Sequence, residues 1–160
     1  MKSDFTKQMT VLSIAQPWAS CIIDHGKNVE NRSANLHKRG TVALYASTSK
    51  NLLRFEMCKK QYGITLNWEN VPRGAIIGFM DIVDVIDDDT VTKKTKKWFM
   101  GDYGYVLVNI IKLKKPVPAK PPKGAVTFWK IKGKVLQECL KQIPANRLNK
   151  FQKWATPGIE

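Results

Sequence analysis

The sequence predicts an α+β domain, a small β-barrel of about five to six strands with two to three flanking helices. Three observations support this fold class. Short apolar and β-branched runs recur along the 160 residues and are separated by turns that contain glycine or proline. Two or three other segments space their apolar residues as one face of a helix. Strands and helices do not alternate strictly, which disfavours a regular β-α-β sheet.

The strands are predicted from apolar runs that end at turn residues. Gly78 interrupts the longest run, which indicates a bulge or a close approach of two backbones. The segment 116–122 contains four prolines and is predicted as an extended connection before the last strand. The predicted strands cover residues 10–14, 41–46, 75–86, 105–113 and 125–131.

One helix is predicted to start at Pro17, because proline at the first helical position lacks only an N–H that would be unpaired there. Gly26 is suited to end this helix in a left-handed conformation. Residues 27–33 then leave the helix as an extended segment or loop. Two further helices are predicted over 51–62 and 135–142 from the spacing of their apolar residues.

The positive charge is distributed unevenly along the chain. The formal net charge is +14, and residues 1–92 carry 11 Lys/Arg against 10 Asp/Glu, whereas residues 93–160 carry 16 against 3. Such asymmetry indicates a polyanionic partner, of which nucleic acid is the commonest. The alternatives are an anionic membrane surface and a charge that serves no partner.

Several other classes of protein are disfavoured. The isolated cysteines Cys21, Cys58 and Cys139 form no C-x-x-C pair, so we expect buried free thiols, no metal site and no cofactor. A secretory leader and an apolar stretch of about 18 residues are both absent, which predicts a cytoplasmic protein without a membrane anchor. A P-loop, a Rossmann fingerprint and a G-x-S-x-G elbow are absent too. We favour a monomer.

Two motifs carry a resemblance to a known family. The segment LSIAQPWA at residues 12–19 is followed by Lys27-x-x-Glu30-x-Arg32. Together they resemble the ASCH domain, whose motif is G-x-K-x-x-E-x-R, although His25 stands where glycine is usual. The similarity covers residues 10–133 and returns in the segments 39–47, 74–79, 98–105 and 128–131. It implies an N-terminal arm over 1–9, an ASCH domain over 10–133, and a basic C-terminal helix or tail over 134–160 that packs on the domain or extends from it.

The resemblance implies a PUA-like β-barrel with a cleft at the K-x-x-E-x-R segment that accommodates RNA or a nucleotide. Lys27 can hold a phosphate, or act as a base if its pKa is lowered. Arg32 can clamp a phosphate, and a tyrosine can stack on a base. The alternative is a structural ion-pair cluster that locks the loop to the barrel. The candidate nucleic-acid-binding residues are Lys27, Glu30, Asn31, Arg32, Arg39, Ser47, Tyr103 and Tyr105.

Three functions stay open at this point. The first is a nucleic-acid-binding module, for RNA in preference to DNA, with a modified nucleoside as a further possible ligand. The second is a hydrolase of the ribonuclease or acylcytidine amidohydrolase type, as in some relatives, with Lys27 and Glu30 as catalytic residues. Glu30 stands where the deacylating relative has its nucleophilic threonine, so that mechanism does not carry over. The third is a protein-interaction adaptor.

The tail raises a separate question. Phe151 and Trp154 lie among basic residues of the C-terminal tail. They either anchor the tail on the barrel or stack on bases, and we favour anchoring. Trp129, in the last predicted strand, is expected in the core.

Overall fold

The computed structural model describes residues 7–158. They form a six-stranded sheet, curled into a half-barrel, with helices beside it. The strands are β1 (Gln8–Ile14), β2 (Val29–Arg32), β3 (Gly40–Ala46), β4 (Ala75–Ile86), β5 (Tyr103–Pro118) and β6 (Phe128–Lys132). The helices are α1 (Trp18–Asp24), α2 (Leu52–Tyr62), α3 (Gly133–Leu140) and the single-turn α4 (Ala145–Leu148), with a 3-10 turn at Trp68–Asn70. The predicted α+β class with a small barrel-like sheet is confirmed.

The strand order across the sheet is β2-β5-β4-β3-β1-β6. β1 and β3 are parallel, and the other neighbours are antiparallel. β2 and β6 therefore form the two edges of the sheet. The register between β4 and β5 shifts three times, and such irregularities bend a strand and increase its twist.

Gly78 of β4 is the predicted point of close backbone approach, and the structure confirms it. A Cβ built on this glycine would collide with the backbone oxygen of Ile111 in β5 and with the side chain of Ile23. One of the β4–β5 register shifts lies between Ile76 and Gly78. Only a residue without a side chain lets the two strands and the helix α1 region come this close.

Hydrophobic clusters pack against both faces of the sheet. Side chains alternate along β1, so Val11 packs with Leu136 of α3 on one face, whereas Leu12 packs with Ile82 on the other. A third cluster connects α1, α2 and the segment before β5. It consists of Cys21, Val29, Cys58, Ile86 and Trp98.

The described elements differ from the predictions at several boundaries. β1 begins at Gln8, so the last residues of the predicted 1–9 arm belong to the sheet, and residues 1–6 lie outside the described part. β5 extends to Pro118, where prolines at a strand end cost few ladder hydrogen bonds. β6 starts later than expected, at Phe128, and α3 begins and ends two residues earlier. The short helix α4 was not predicted.

The lengths of the helices show whether any of them could span a membrane. Among residues 7–158, every helix is too short or too polar to cross a bilayer. The longest, α2, has 11 residues, whereas a spanning helix needs about 20 apolar ones.

Candidate nucleic-acid interface

The K-x-x-E-x-R segment begins where α1 ends. Gly26 adopts the predicted left-handed conformation, with φ of +73°. The Lys27 N–H then donates to the Cys21 carbonyl over 3.1 Å, and this carbonyl also accepts from the His25 N–H over 3.0 Å. The chain continues as β2, which pairs with β5 and places Glu30 opposite Tyr105. The turn and the strand together bring the Lys27 and Glu30 side chains to one place.

Lys27 is buried, with 2 % of its surface exposed. Its ammonium group lies 3.7 Å from Glu30 Oε1 and donates a hydrogen bond to the Val29 carbonyl. The rings of Trp18 and Trp98 flank it, with centroids 5.9 and 6.0 Å from Nζ. Burial lowers the pKa of Lys27, and the Glu30 carboxylate opposes this shift.

Glu30 joins two cations. Its second oxygen, Oε2, lies 3.3 Å from Nη2 of Arg32, which also donates to the Ser13 carbonyl of β1 over 2.7 Å. The Arg32 side chain is 24 % exposed, but its Nε is buried without a hydrogen-bond partner. The cluster Lys27–Glu30–Arg32 therefore ties the end of α1 and β2 to β1.

Asn31 uses its amide to hold a neighbouring loop. Its Nδ2 donates to the Trp98 carbonyl over 2.9 Å, and its Oδ1 accepts from the Met100 N–H over 2.8 Å. Both halves of the amide are thus engaged within the protein. This loop carries the Trp98 ring against Lys27, so Asn31 helps to close the cluster.

Of the remaining sequence-predicted residues, the two tyrosines are ladder partners of Glu30 and Arg32. Tyr105 is 4 % exposed and its hydroxyl donates to the Ala34 carbonyl, while burial raises its pKa. Tyr103, half-buried, lies opposite Arg32 in the β2–β5 ladder. Arg39 donates to two nearby carbonyls and pairs with Asp84 at 3.8 Å. Ser47, half-buried, follows β3, and its backbone N–H donates to the Ile14 carbonyl.

The structure thus brings Lys27, Glu30 and Arg32 together, with Asn31 beside them. Within residues 7–158, no hydrogen bond or ion pair joins Arg39 or Ser47 to this cluster. Because the Lys27 ammonium is enclosed by a carboxylate, a carbonyl and two indole rings, it presents no open face to a phosphate. This geometry favours the structural alternative for Lys27 over a binding or catalytic role.

A different cleft lies between the β1–β6 edge of the sheet and the C-terminal segment, residues 141–158. It encloses about 400 Å³. Three lysines and three aromatic residues line it, together with polar residues of β1. We call it the basic aromatic cleft, and its defining residues are Lys38, Lys130, Lys153, Phe128, Trp129 and Trp154, with Gln8 and Thr10.

Backbone hydrogen bonds attach the C-terminal segment to the start of β3. Arg39 and Ala155 exchange two bonds, of 2.9 and 3.0 Å. The Thr41 N–H donates to the Gln152 carbonyl, and the Gln152 N–H donates to the Thr41 hydroxyl over 2.8 Å. The two residues between these anchors, 153 and 154, are therefore held in place from both sides.

Ring contacts reinforce this attachment. Phe151 packs on Phe79 of β4 and Trp154 packs on Phe128 of β6, each with ring centroids 5.4 Å apart. The expectation that Phe151 and Trp154 anchor the tail is confirmed. Trp154 lies at the cleft as well, so anchoring does not remove it from a possible interface.

The cleft is positively charged without compensation. Lys38, Lys130 and Lys153 are exposed, and none forms an ion pair with a carboxylate of residues 7–158. No aspartate or glutamate is among the lining residues. Unpaired lysines at one cleft attract an anion, and phosphate is the anion that a lysine point charge commonly holds.

Sequence reasoning did not select these three lysines or Phe128. Two signals were available. The second half of the chain carries most of the net charge, and it contributes both Lys130 and Lys153. Phe128 and Lys130 are two residues apart in a strand, so their side chains share a face. The involvement of Lys38 depends on the attachment of the C-terminal segment, which no local pattern reports.

The chain matches no family model and no curated protein. Among residues 7–158, no group of three or more His, Cys, Asp or Glu side chains is placed to hold a metal ion. The three cysteines are free and buried, as expected.

Proposed function

We propose that this protein is a nucleic-acid-binding module of the PUA-like ASCH type that binds RNA in preference to DNA. The observation that carries the proposal is the basic aromatic cleft. It combines unpaired lysines for phosphates with aromatic surface for bases, the pair of features found where proteins hold nucleic acid strands. The net charge of +13 over residues 93–160 supports it. The preference for RNA comes from the family resemblance.

This proposal moves the interface away from the K-x-x-E-x-R segment. That segment was the expected cleft, but its lysine is 2 % exposed and already paired. The basic aromatic cleft is open, and its volume of about 400 Å³ falls in the range of ligand sites, roughly 300–1,000 Å³. In this proposal the K-x-x-E-x-R cluster supports the sheet whose far edge carries the cleft.

The test is a binding titration with fluorescently labelled RNA and DNA strands over a range of salt concentrations. If the three lysines contact phosphates, the plot of log Kobs against log salt concentration should be about −2 or steeper in slope. Each phosphate contact on a single strand contributes roughly −0.7 to this slope. RNA should bind more tightly than DNA of the same sequence. An absent or salt-insensitive signal with every strand would overturn the proposal.

One observation favours the hydrolase alternative, which we keep as a second proposal. Burial lowers the pKa of Lys27, and a lysine with a lowered pKa can act as a base. The Glu30 ion pair would have to open to admit a substrate. Wild type and Lys27→Met, both shown to be folded by circular dichroism, are incubated with RNA and with acylated cytidines. Equal background turnover by the two proteins would refute this alternative.

A further inference from the structure

The two tryptophans of the basic aromatic cleft differ in the exposure of their rings and in the hydrogen bonding of their indole N–H groups. Trp129 is 8 % exposed, packs edge-on against Tyr45 and donates its indole N–H to the Ser13 hydroxyl over 2.9 Å. Trp154 is half-buried, and its indole N–H has no acceptor within residues 7–158. The Trp129 ring is therefore part of the core on the other face of β6, whereas Trp154 has both ring surface and a donor available to a ligand.

Trp154 is also held in position. The Phe128 ring supports it on one side, at 5.4 Å between centroids and 38° between planes. Its chain neighbours are fixed by the backbone bonds of Gln152 and Ala155 to the start of β3. A base that stacks on this ring meets a surface that is already ordered, so little conformational entropy is lost on binding.

Each of these two half-buried rings has a lysine close to it in the sequence. Lys153 precedes Trp154 in the chain, and Lys130 shares a face of β6 with Phe128. Alternating aromatic and basic side chains match the alternation of base and phosphate along a nucleic acid strand. Polar groups that could meet a base edge are present as well, since the Gln8 amide and the Thr10 hydroxyl have no hydrogen-bond partner within residues 7–158.

We propose that the basic aromatic cleft takes one unstacked nucleotide of a single strand, with its base on Trp154 and its phosphates at Lys130 and Lys153. The inference rests on the proposed function and narrows its ligand to single-stranded nucleic acid. In a duplex, neighbouring base pairs cover both faces of every base, so no face is left for a protein ring. A cleft of about 400 Å³ is also too small to accommodate a nucleic-acid duplex.

The first test compares one RNA strand with the same strand in a perfect duplex, at equal salt, by fluorescence anisotropy. We expect the single strand to bind at least about fivefold more tightly, because stacking of one base contributes roughly 5- to 150-fold. A duplex that binds as tightly as the single strand overturns this inference but leaves the proposed function standing. If neither the single strand nor the duplex binds, the proposed function itself is refuted.

The second test uses a matched pair of tryptophan variants. Trp154→Leu should weaken single-strand binding by roughly 5- to 150-fold and leave weak duplex binding unchanged. Trp68→Leu is the control, because Trp68 is also half-buried beside a phenylalanine, Phe55, and next to the cations Lys50 and Arg73, but lies outside the cleft. Equal losses in the two variants would contradict the assignment.

A third measurement needs only the wild-type protein, so it does not depend on how a variant folds. A strand of the same length that carries ribose and phosphate but no bases keeps every phosphate contact. We expect it to bind with the same salt slope but roughly 5- to 150-fold more weakly, because no base stacks on Trp154. If the base-free strand binds as tightly as the normal strand, Trp154 does not stack on a base.

Discussion

The Lys27 ammonium and the Glu30 carboxylate form a buried ion pair, with 3.7 Å between Nζ and Oε1 and with 2 % and 8 % of their side chains exposed. Glu30 also holds Arg32, which reaches the Ser13 carbonyl of β1. The motif that marks the ASCH resemblance therefore joins α1, β2 and β1. Its charges lie within the fold, while the unpaired lysines line the basic aromatic cleft.

We expect Glu30→Gln to lower the free energy of unfolding by about 3 kcal/mol, because it leaves the buried Lys27 ammonium without its counterion. The measurement is urea-induced unfolding. The double variant Lys27→Met with Glu30→Gln should recover part of this loss, since both charges are then gone. The control is Asp24→Asn in the Asp24–Lys112 pair, whose side chains are 44 % and 62 % exposed. It should cost less than about 1 kcal/mol, and an equal cost for the two pairs would contradict the structural role.

Asn31→Ala should destabilise the protein by roughly 1–3 kcal/mol, because it removes both bonds to the 98–100 loop and leaves the Met100 N–H and the Trp98 carbonyl unpaired. Asn35→Ala, at an exposed position, is the control with an expected change within about 0.5 kcal/mol. Near-ultraviolet circular dichroism should report the altered packing of Trp98. An unchanged spectrum would contradict the described contact.

The double variant Lys130→Ala with Lys153→Ala should reduce the magnitude of the salt slope of RNA binding by about 1.4, from roughly 0.7 for each lost phosphate contact. The control is Lys59→Ala with Lys60→Ala, which removes the same charge from two exposed lysines in the last turn of α2. Neither of these lysines lines the cleft. The control should keep the wild-type slope. Equal slopes in the two variants would mean that net charge, and not the cleft, governs binding.

Gly40→Ala should detach the C-terminal segment. Gly40 has φ of +132°, and a Cβ at this position would collide with the backbone of Lys153. We expect a larger loss of stability than for Gly63→Ala, where φ is +69° and an added Cβ would meet no atom within 4 Å other than those of its chain neighbours. The Gly63 variant reports the conformational cost alone, about 1–2 kcal/mol. Because Lys153 and Trp154 move with the segment, only Gly40→Ala should weaken RNA binding, and retention of full affinity would show that the segment is not part of the interface.

We expect the free energy of unfolding to fall at alkaline pH because two cysteine thiols are buried. Burial raises the pKa of Cys21 and of Cys139 from 9.0 to about 12. An unfolded thiol ionises near pH 9 while the folded thiol keeps its proton, so its contribution to stability is complete below pH 9 and is lost as the pH rises towards 12. Urea unfolding of wild type and Cys139→Ala at pH 8 to 10.5 isolates one thiol. The variant should lose stability less steeply, and parallel curves would contradict the raised pKa.

Local patterns in the sequence determined much of the fold. The strand predicted over 75–86 is β4, and the helix predicted over 51–62 is α2, whose Asn51 accepts a capping bond from the Leu53 N–H. The left-handed turn at Gly26 and the close approach at Gly78 also follow from single residues whose conformation or size allows few alternatives. These signals depend on neighbours within a few positions, and they are readable without the fold.

The tertiary structure decided the site. Residues 29–32 form a strand because β5 pairs with them from more than 70 positions away. Lys27 is buried because α1, β2 and the Trp98 loop meet around it, although a lysine by itself indicates exposure. The sequence by itself determined the excess of positive charge and the elements of the sheet. Which lysines meet at an open aromatic surface was decided only when residues 152–155 paired with the start of β3, because that contact is set by packing between distant segments and has no local signature.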